Sequence, residues 1–287
     1  MKALKDIKKI GVIGAGVMGR GIALASAVAG YEVVLYDIHQ NTLDQSSAYF
    51  EKFLSASVTR GKLTAEQKPK VIAAIQMTQE ISALKVDFVI EAILENLELK
   101  QKVLGEIEAL NEGQAIIASN TSTIPITRIG AGLKHPERLI GMHFFNPAPI
   151  MKLVEVISGE ATAEWVSKLT FELAETMKKK PVQAQDEPGF IVNRVARHFY
   201  LESLKVLEER VADHATIDRL MENSGFKMGP FKLMDLIGIE TNHEVTKSLY
   251  NAFFQDEKFR PSKVQQKKVD AGTYGRKTGR GFYSYEK

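Results

Sequence analysis

A glycine-rich turn near the amino end constrains the fold more than any other part of this sequence. The short apolar run at residues 9–13 leads into Gly14-Ala-Gly16-Val17-Met18-Gly19, and an apolar helical pattern follows at once. Between a strand and a helix, the first glycine permits a tight turn and the second lets a pyrophosphate approach the backbone. The third lets the helix pack closely on the strand. Ordinary glycine turns share this spacing, so the dinucleotide site predicted at these residues depends on what surrounds them.

An acidic residue at the end of the next apolar run supplies the second element of a dinucleotide site. Asp37 follows the run at residues 32–36 and lies 18 residues after Gly19. A carboxylate there can accept both hydroxyls of a ribose and would repel a 2′-phosphate, so NAD is favoured over NADP. Asp37 could instead cap a helix, and FAD also fits a unit of this kind. We expect NAD.

The first half of the chain alternates short apolar runs with longer amphipathic stretches. The runs predict strands at residues 9–13, 32–36, 87–92, 115–119, 139–144 and 153–157. Strands that alternate with helices are typical of an α/β fold with a doubly wound, mostly parallel sheet of the Rossmann type. Asp186-Glu187-Pro188-Gly189 then punctuates the chain, and helical patterns follow. We therefore expect a dinucleotide-binding domain at residues 1–184 and an all-α domain at residues 185–287.

The composition excludes several classes of protein. The 287 residues include 38 Lys and Arg against 35 Asp and Glu, a net charge of +3 that is too small to favour nucleic acid or an anionic membrane. Cysteine is absent, which excludes disulfides, Cys-ligated zinc and a thiol nucleophile. No apolar run approaches the roughly 20 residues that cross a bilayer, and the basic start lacks the apolar core of a signal peptide. We expect a cytoplasmic protein with no metal, nucleic-acid or membrane partner.

A histidine and a glutamate occupy places that a protein core would not choose for them. His143 follows the apolar run at residues 139–142, and Glu155 interrupts the run at residues 153–157. Burying a carboxylate is costly unless it is paired or hydrogen-bonded. Glu155 could face solvent from an edge strand, and a lone histidine at a strand end is often structural. Alternatively, Glu155 holds one ring nitrogen of His143 while the other nitrogen acts on a substrate.

Two further polar groups fit a site at the same edge of the sheet. Ser119-Asn120-Thr121-Ser122 follows a predicted strand, and ligands bind beyond the carboxyl ends of strands in open α/β sheets. For Thr121 and Thr123, a helix-capping role is the simpler interpretation. Asn193 lies near the start of the helix that opens the second domain. It is either an ordinary polar position or a group that projects toward a cleft between the domains.

With these residues in place, the sequence closely resembles the 3-hydroxyacyl-CoA dehydrogenase family over nearly its whole length. The motifs that carry the resemblance are the glycine turn at residues 14–19, Glu91-Ala-Ile-Leu-Glu95-Asn96, Ser119-Asn-Thr-Ser122, His143-Phe-Phe-Asn-Pro147, Met151-Lys-Leu-Val-Glu155-Val156, Pro188-Gly-Phe-Ile-Val-Asn193-Arg194, Met228-Gly-Pro230 and Lys277-Thr-Gly-Arg-Gly-Phe-Tyr283. The occurrence of all these motifs in this order is specific to the family. The chain resembles the short bacterial members, which act on 3-hydroxybutyryl-CoA and have no fused hydratase.

The resemblance implies roles for the catalytic candidates. His143 would be the general acid/base, and Glu155 its partner. Ser122 and Asn193 would contact the reacting oxygen and the thioester. The activity implied is the NAD-dependent oxidation of an (S)-3-hydroxyacyl-CoA to the 3-ketoacyl-CoA, and the reverse reduction of acetoacetyl-CoA.

The resemblance also implies binding residues and partners. The nicotinamide half of the cofactor would be lined by Glu95, Lys100 and Asn120. The coenzyme A-binding helix of the family would correspond to residues 41–60. There, Lys52 and Arg60 either meet the phosphates of an acyl-CoA thioester or belong to an ordinary solvated face. The helical domain would complete the substrate cleft and form a homodimer.

Two other functions are compatible with the same motifs. One is the NAD-dependent oxidation of a free hydroxy acid, as in the related gulonate and carnitine dehydrogenases. The other is a non-catalytic NAD-binding protein that has kept the fold. The presence of all four catalytic candidates argues against the second, because a site without activity has no reason to retain them.

Overall fold

The predicted strands belong to a single sheet in the first part of the chain. The computed structural model describes residues 2–285. The strands are β1 Lys9–Ile13, β2 Glu32–Tyr36, β3 Ile75–Thr78, β4 Phe88–Glu91, β5 Ile116–Ser119, β6 Leu139–Phe144, β7 Leu153–Ser158 and β8 Lys180–Gln185. Their order across the sheet is β3-β2-β1-β4-β5-β6-β7-β8. All neighbours pair in parallel except β6 and β7. The predicted α/β class with a doubly wound sheet is confirmed.

Helices pack on this sheet and bury its central strands. They are α1 Val17–Val28, α2 Gln40–Thr59, α3 Gln67–Ala73, α4 Leu97–Leu110, α5 Ile126–Gly130 and α6 Glu164–Thr176. Every residue of β4, β5 and β6 is buried, as expected for strands that are covered on both faces. The strand order reverses between β1 and β4: β2 and β3 lie on one side of β1, and β4 and the later strands lie on the other. The loops after β1 and β4 therefore border a crevice at the carboxyl edge of the sheet.

The sequence does not predict β3 and β8, because these strands lie at the two edges of the sheet. β3 has four residues, two of them exposed. β8 is mostly polar and contains Pro181, a residue that edge strands tolerate. β8 continues to Gln185, one residue past the expected domain end at residue 184. The chain divides into two compact units between Glu187 and Pro188.

The second unit is helical, as the sequence predicts. Its helices are α7 Val192–Glu208, α8 His214–Asn223, α9 Pro230–Ile237, α10 Ile239–Ala252 and α11 Lys263–Asp270. Its buried core consists of Tyr200, Leu204, Ile217, Phe231, Met234 and Ile239. Across residues 2–285, no helix combines the length and the apolar character that a membrane span needs.

Two buried aspartates fasten the tyrosine-rich C-terminal segment to the second unit. Asp218 accepts hydrogen bonds from the Phe231 N–H at 2.8 Å and the Tyr283 hydroxyl at 2.8 Å. Asp235 accepts hydrogen bonds from the Tyr283 N–H and the Tyr285 hydroxyl, both at 2.9 Å. Burial and the Asp235 carboxylate raise the pKa of Tyr285 to about 12, so its hydroxyl remains a donor at neutral pH. The C-terminal segment is therefore part of the packed unit.

Candidate active site

The glycine turn has the geometry that a dinucleotide requires. Gly14 has a φ of +92°, and a Cβ there would lie 2.7 Å from the Ala92 carbonyl oxygen. A Cβ on Gly19 would collide with the Gly14 carbonyl oxygen, whereas a Cβ on Gly16 would meet nothing within 4 Å. Gly14 and Gly19 therefore shape the turn, and Gly16 leaves open space beside the first turn of α1.

Asp37 connects the end of β2 to this turn. Its carboxylate accepts hydrogen bonds from the Ala15 N–H at 2.7 Å and the His39 N–H at 2.9 Å. Gly16 is the N-cap of α1, and the first N–H groups of the helix have no acceptor within it. Val17 is 56% exposed and Met18 is half-buried at this helix start. Open space, helix-terminal donors and a nearby carboxylate fit the pyrophosphate and the ribose of NAD.

His143 and Glu155 form a hydrogen-bonded pair across two strands. The antiparallel pairing of β6 with β7 sets the two residues opposite each other, so their side chains lie on the same face of the sheet. His143 Nδ1 lies 2.7 Å from Glu155 Oε2. His143 is 6% exposed and Glu155 is 0% exposed. The contact predicted from the strand pattern is present, and β8 covers the strand that carries Glu155, which is therefore not an edge strand.

This contact favours one tautomer of the imidazole ring. A carboxylate beside Nδ1 is an acceptor, so it favours a proton on that nitrogen and leaves Nε2 as the ring atom that can exchange a proton. The Phe145 ring lies 4.6 Å from the imidazole, measured between ring centroids, and helps to fix its orientation.

Glu95 organises the segment that contains Ser122. Its Oε1 accepts hydrogen bonds from the Thr121 hydroxyl at 2.6 Å and from the Ser122 and Thr123 N–H groups at 3.0 Å. Burial would raise the pKa of the Glu95 carboxyl, but the Lys100 ammonium and these donors outweigh burial and hold the pKa below its ordinary value. Glu95 is therefore an anion that holds the Ser122 main chain in place.

Lys100 is buried beneath this segment, with 1% of its side chain exposed. Its Nζ lies 2.6 Å from Glu91 Oε1 and 3.3 Å from Glu95 Oε2. Because the ammonium faces two carboxylates, its contact with a nicotinamide stays a prediction. Glu91 is not among the site residues predicted from the sequence. A carboxylate at the end of the apolar strand β4 is nevertheless the same kind of signal that identifies Glu155.

Asn120 links the ends of two neighbouring strands. Its Oδ1 accepts a hydrogen bond from the Phe144 N–H at 2.8 Å, immediately after His143. The side chains at the carboxyl ends of β4, β5 and β6 are thus connected to one another through hydrogen bonds and main chain.

Three further predicted residues lie on or beside helices. Asn193 is the second residue of α7, half-buried in the second unit. Lys52 lies on α2 and Arg60 directly follows it, and both are exposed. Their roles toward a substrate stay predictions.

A cavity of about 310 Å³ lies beside the glycine turn. It is lined by Val17 and Arg20 of α1, by Tyr49 and Phe53 of α2, and by residues 146–148 and 150. The Arg20 guanidinium lies 4.8 Å from the centre of the Tyr49 ring, and its buried Nε has no hydrogen-bond partner within residues 2–285. A larger cavity of about 740 Å³, between α6 and the β7–β8 edge, contains none of the predicted site residues.

Two family models match the chain and together cover almost all of it. The model described as 3-hydroxyacyl-CoA dehydrogenase, NAD binding domain, matches residues 9–187. The model described as 3-hydroxyacyl-CoA dehydrogenase, C-terminal domain, matches residues 189–285.

Individual relatives agree with these matches. The 3-hydroxyadipyl-CoA dehydrogenase of Escherichia coli is 45% identical over 98% of this chain and 59% of its own length. The fatty acid oxidation complex subunit alpha of Pseudomonas syringae is 40% identical over 99% of this chain and 40% of its own length. The chain thus spans about half the length of these two relatives. The crystal structure of (S)-3-hydroxybutyryl-CoA dehydrogenase from Ralstonia eutropha has a TM-score of 0.93 and 40% identity, and covers 98% of this chain and 100% of its own.

Proposed function

The chain belongs to the 3-hydroxyacyl-CoA dehydrogenase family, and on that basis we propose that it oxidises (S)-3-hydroxyacyl-CoA thioesters with NAD and reduces 3-ketoacyl-CoA in reverse. The observation that carries the proposal is the buried hydrogen bond between His143 and Glu155. β6 ends three strand spacings from the glycine turn after β1, about 14 Å at the usual spacing of strands. A dinucleotide bound at the turn is long enough to extend across that distance.

The chain itself supplies acid–base chemistry and orientation. A bound NAD supplies the nicotinamide that accepts or donates the hydride. In the oxidation, Nε2 of His143 takes the proton of the 3-hydroxyl group. Glu155 keeps the proton of the ring on Nδ1 and stabilises the imidazolium that forms. In the reduction, the same Nε2 returns the proton to the oxygen of the 3-keto group.

The residues around this pair are proposed to hold the substrate and the cofactor. Ser122, which Glu95 positions through its main chain, is assigned to the reacting oxygen and the thioester, together with Asn193. Glu95, Lys100 and Asn120 are assigned to the nicotinamide half of the cofactor site. Gly14, Gly16, Gly19 and Asp37 are assigned to its adenosine and pyrophosphate.

A thioester of coenzyme A is the proposed substrate class, with a short acyl chain such as 3-hydroxybutyryl. The names of two relatives support this substrate class, since one is a 3-hydroxyadipyl-CoA dehydrogenase and the other a 3-hydroxybutyryl-CoA dehydrogenase. The cavity at Arg20 and the basic Lys52 and Arg60 are compatible with the anionic nucleotide half of such a thioester. The preference for a short acyl chain is tested by comparing kcat/KM for 3-ketoacyl-CoA thioesters of increasing acyl length.

One assay tests the proposal against its alternatives. We expect the protein to oxidise NADH with acetoacetyl-CoA, and not with free acetoacetate or 3-dehydrogulonate. His143→Ala, prepared in parallel, should abolish the reaction while NADH still binds. Oxidation of NADH with a free keto acid alone would indicate a hydroxy-acid dehydrogenase. Binding of NADH without any turnover would indicate a non-catalytic protein.

We also propose that the protein is a cytoplasmic homodimer. Sedimentation equilibrium tests the oligomer, and a mass of one chain at micromolar concentration would exclude the dimer. Fractionation of the source cells tests the location.

A further inference from the structure

A carboxylate at the end of β4 lies at the centre of the hydrogen bonds beneath the Ser122 loop, defined here as residues 119–123. Glu91 is 0% exposed. Its Oε1 accepts hydrogen bonds from Lys100 Nζ at 2.6 Å and from the Ile93 N–H at 2.7 Å. Its Oε2 accepts a hydrogen bond from the Ser119 hydroxyl at 2.6 Å. The proposed chemistry assigns no step to Glu91.

Glu91 reaches the Ser122 loop along two separate routes. The first runs through Lys100, whose ammonium lies close to Glu91 and also contacts Glu95, the acceptor for the Ser122 N–H. The second runs through Ser119, whose Oγ accepts a hydrogen bond from the Thr121 N–H at 3.2 Å. The beginning and the middle of the loop are therefore both tied to one carboxylate.

The position of the Lys100 ammonium depends on the negative charge of Glu91. A buried ammonium is unfavourable without compensating charge, and the distances make Glu91 the nearer of its two partners. With Glu91 neutral, Lys100 would move toward Glu95, the remaining carboxylate. The Oε1 atom that receives the loop donors would shift with it. Since a misplacement of about 1 Å can cost about a hundredfold in rate, a displacement of this loop is relevant to catalysis.

We propose that Glu91 is a positioning residue that holds the Ser122 loop through Lys100–Glu95 and through Ser119. Its effect on turnover rests on the proposed function, because only there does Ser122 contact a substrate. Its effect on the loop does not. The two can therefore be tested separately.

The test compares Glu91→Gln with a matched control, Glu108→Gln. Glu108 is also a buried carboxylate of the first unit, 6% exposed, and accepts hydrogen bonds from the Lys134 and His135 N–H groups. It lies near the end of α4, whose carboxyl end leads into the start of β5, at the opposite edge of the sheet from the loop. Both substitutions remove one buried charge and keep the shape of the side chain.

The first readout is amide hydrogen exchange of residues 120–124, measured by mass spectrometry without substrate. In Glu91→Gln, the Ser122 and Thr123 amides should exchange at least about tenfold faster, because their acceptor is displaced. In Glu108→Gln, exchange should increase near residues 134–135 and stay unchanged in the loop. Equal loop exchange in Glu91→Gln and the unsubstituted protein would overturn the proposal, whatever the enzyme does.

The second readout is steady-state reduction of acetoacetyl-CoA. Glu91→Gln should lower kcat by about tenfold to a hundredfold. NADH should still bind, because the glycine turn and Asp37, which are assigned to its adenosine and pyrophosphate, are untouched. Glu108→Gln should keep its kcat. An equal loss of kcat in both variants would reduce Glu91 to a general stability role. If the unsubstituted protein does not reduce the thioester, the proposed function fails and the exchange result still decides the role of Glu91.

A second variant covers the case in which Glu91→Gln does not fold. Replacing Glu91 by Leu and Lys100 by Met removes both buried charges together, and such replacements are often tolerated. This double variant should fold and show fast exchange of the Ser122 and Thr123 amides. Because Lys100 is itself assigned to the cofactor, exchange is the only readout for this variant, and slow exchange would contradict the proposal.

Discussion

Replacing Glu155 by Gln removes the negative charge of the pair with little change in shape, because the two side chains are nearly isosteric. Nδ1 and Oε2 are 2.7 Å apart. At an effective dielectric constant of about 20, an imidazolium and a carboxylate at that distance attract each other by about 6 kcal/mol. If the proton is half transferred in the transition state, the substitution removes about 3 kcal/mol, about a hundredfold in kcat.

The substitution introduces a second defect through the tautomer of the ring. A side-chain amide that presents its NH₂ group to Nδ1 of His143 would favour the tautomer with the proton on Nε2, the atom that must accept one. In the serine proteases the corresponding change from aspartate to asparagine costs about 10⁴-fold. We therefore expect kcat for Glu155→Gln to fall between about 10² and 10⁴-fold.

The assay is NADH oxidation with saturating acetoacetyl-CoA, with NADH affinity measured separately by fluorescence. The NADH dissociation constant should stay within about twofold of its original value, because the glycine turn lies on β1, far from the substitution. A kcat within threefold of the unsubstituted protein would refute the reasoning and remove Glu155 from the mechanism. A large loss of NADH affinity would show instead that the substitution disturbs the sheet.

Three further predictions concern cofactor binding and pH. Gly16→Ala should fold normally and bind NADH at least about tenfold more weakly, because its Cβ fills the open space beside the first turn of α1 that the pyrophosphate would occupy. Gly19→Ala should lower the melting temperature, because its Cβ collides with the Gly14 carbonyl oxygen. Asp37→Ser should shift the ratio of kcat/KM for NADH and NADPH toward NADPH by about tenfold or more. The difference in unfolding free energy between the unsubstituted protein and Glu95→Gln should be constant above about pH 4.5 and shrink below it.

The sign of the last prediction follows from the lowered pKa of Glu95 in the folded protein. A carboxyl group whose pKa is lower in the folded than in the unfolded protein stabilises the fold at every pH at which it is ionised in both forms. This stabilisation is lost as the pH falls through the pKa of Glu95 in the folded protein. Urea titrations at several pH values measure it, and a difference that grows toward low pH would contradict it. Equal melting temperatures of Gly16→Ala and Gly19→Ala would contradict the prediction for the two glycines. An unchanged ratio of kcat/KM for NADH and NADPH would contradict the prediction for Asp37→Ser.

The sequence predicted the central strands and the His143–Glu155 contact for the same physical reason. Strands covered on both faces need unbroken apolar runs, and these are visible without a structure. Against that background, a carboxylate in β7 needs a partner, and a histidine at the end of β6 offers one. β3 and β8 lack such runs because an edge strand buries only part of its surface.

The hydrogen bonds of Glu91 and Lys100 beneath the Ser122 loop could not be predicted from the sequence. Lys100 lies on a helix and Glu91 on a strand, and nothing in their spacing specifies which carboxylate the ammonium approaches more closely. That choice depends on how α4 packs against β4. Lys52 and Arg60 present a different difficulty, because an exposed cation has the same sequence pattern whether it binds a phosphate or only water.

The antiparallel pairing of β6 with β7 has a consequence for how such an enzyme can diversify. His143 and Glu155 are held in register by main-chain hydrogen bonds between two buried strands, and a shift of one residue would send one side chain to the opposite face. Residues 145–151, between the two strands, carry no part of that register. Substitutions within this segment can therefore accumulate while the alignment of His143 with Glu155 is inherited unchanged.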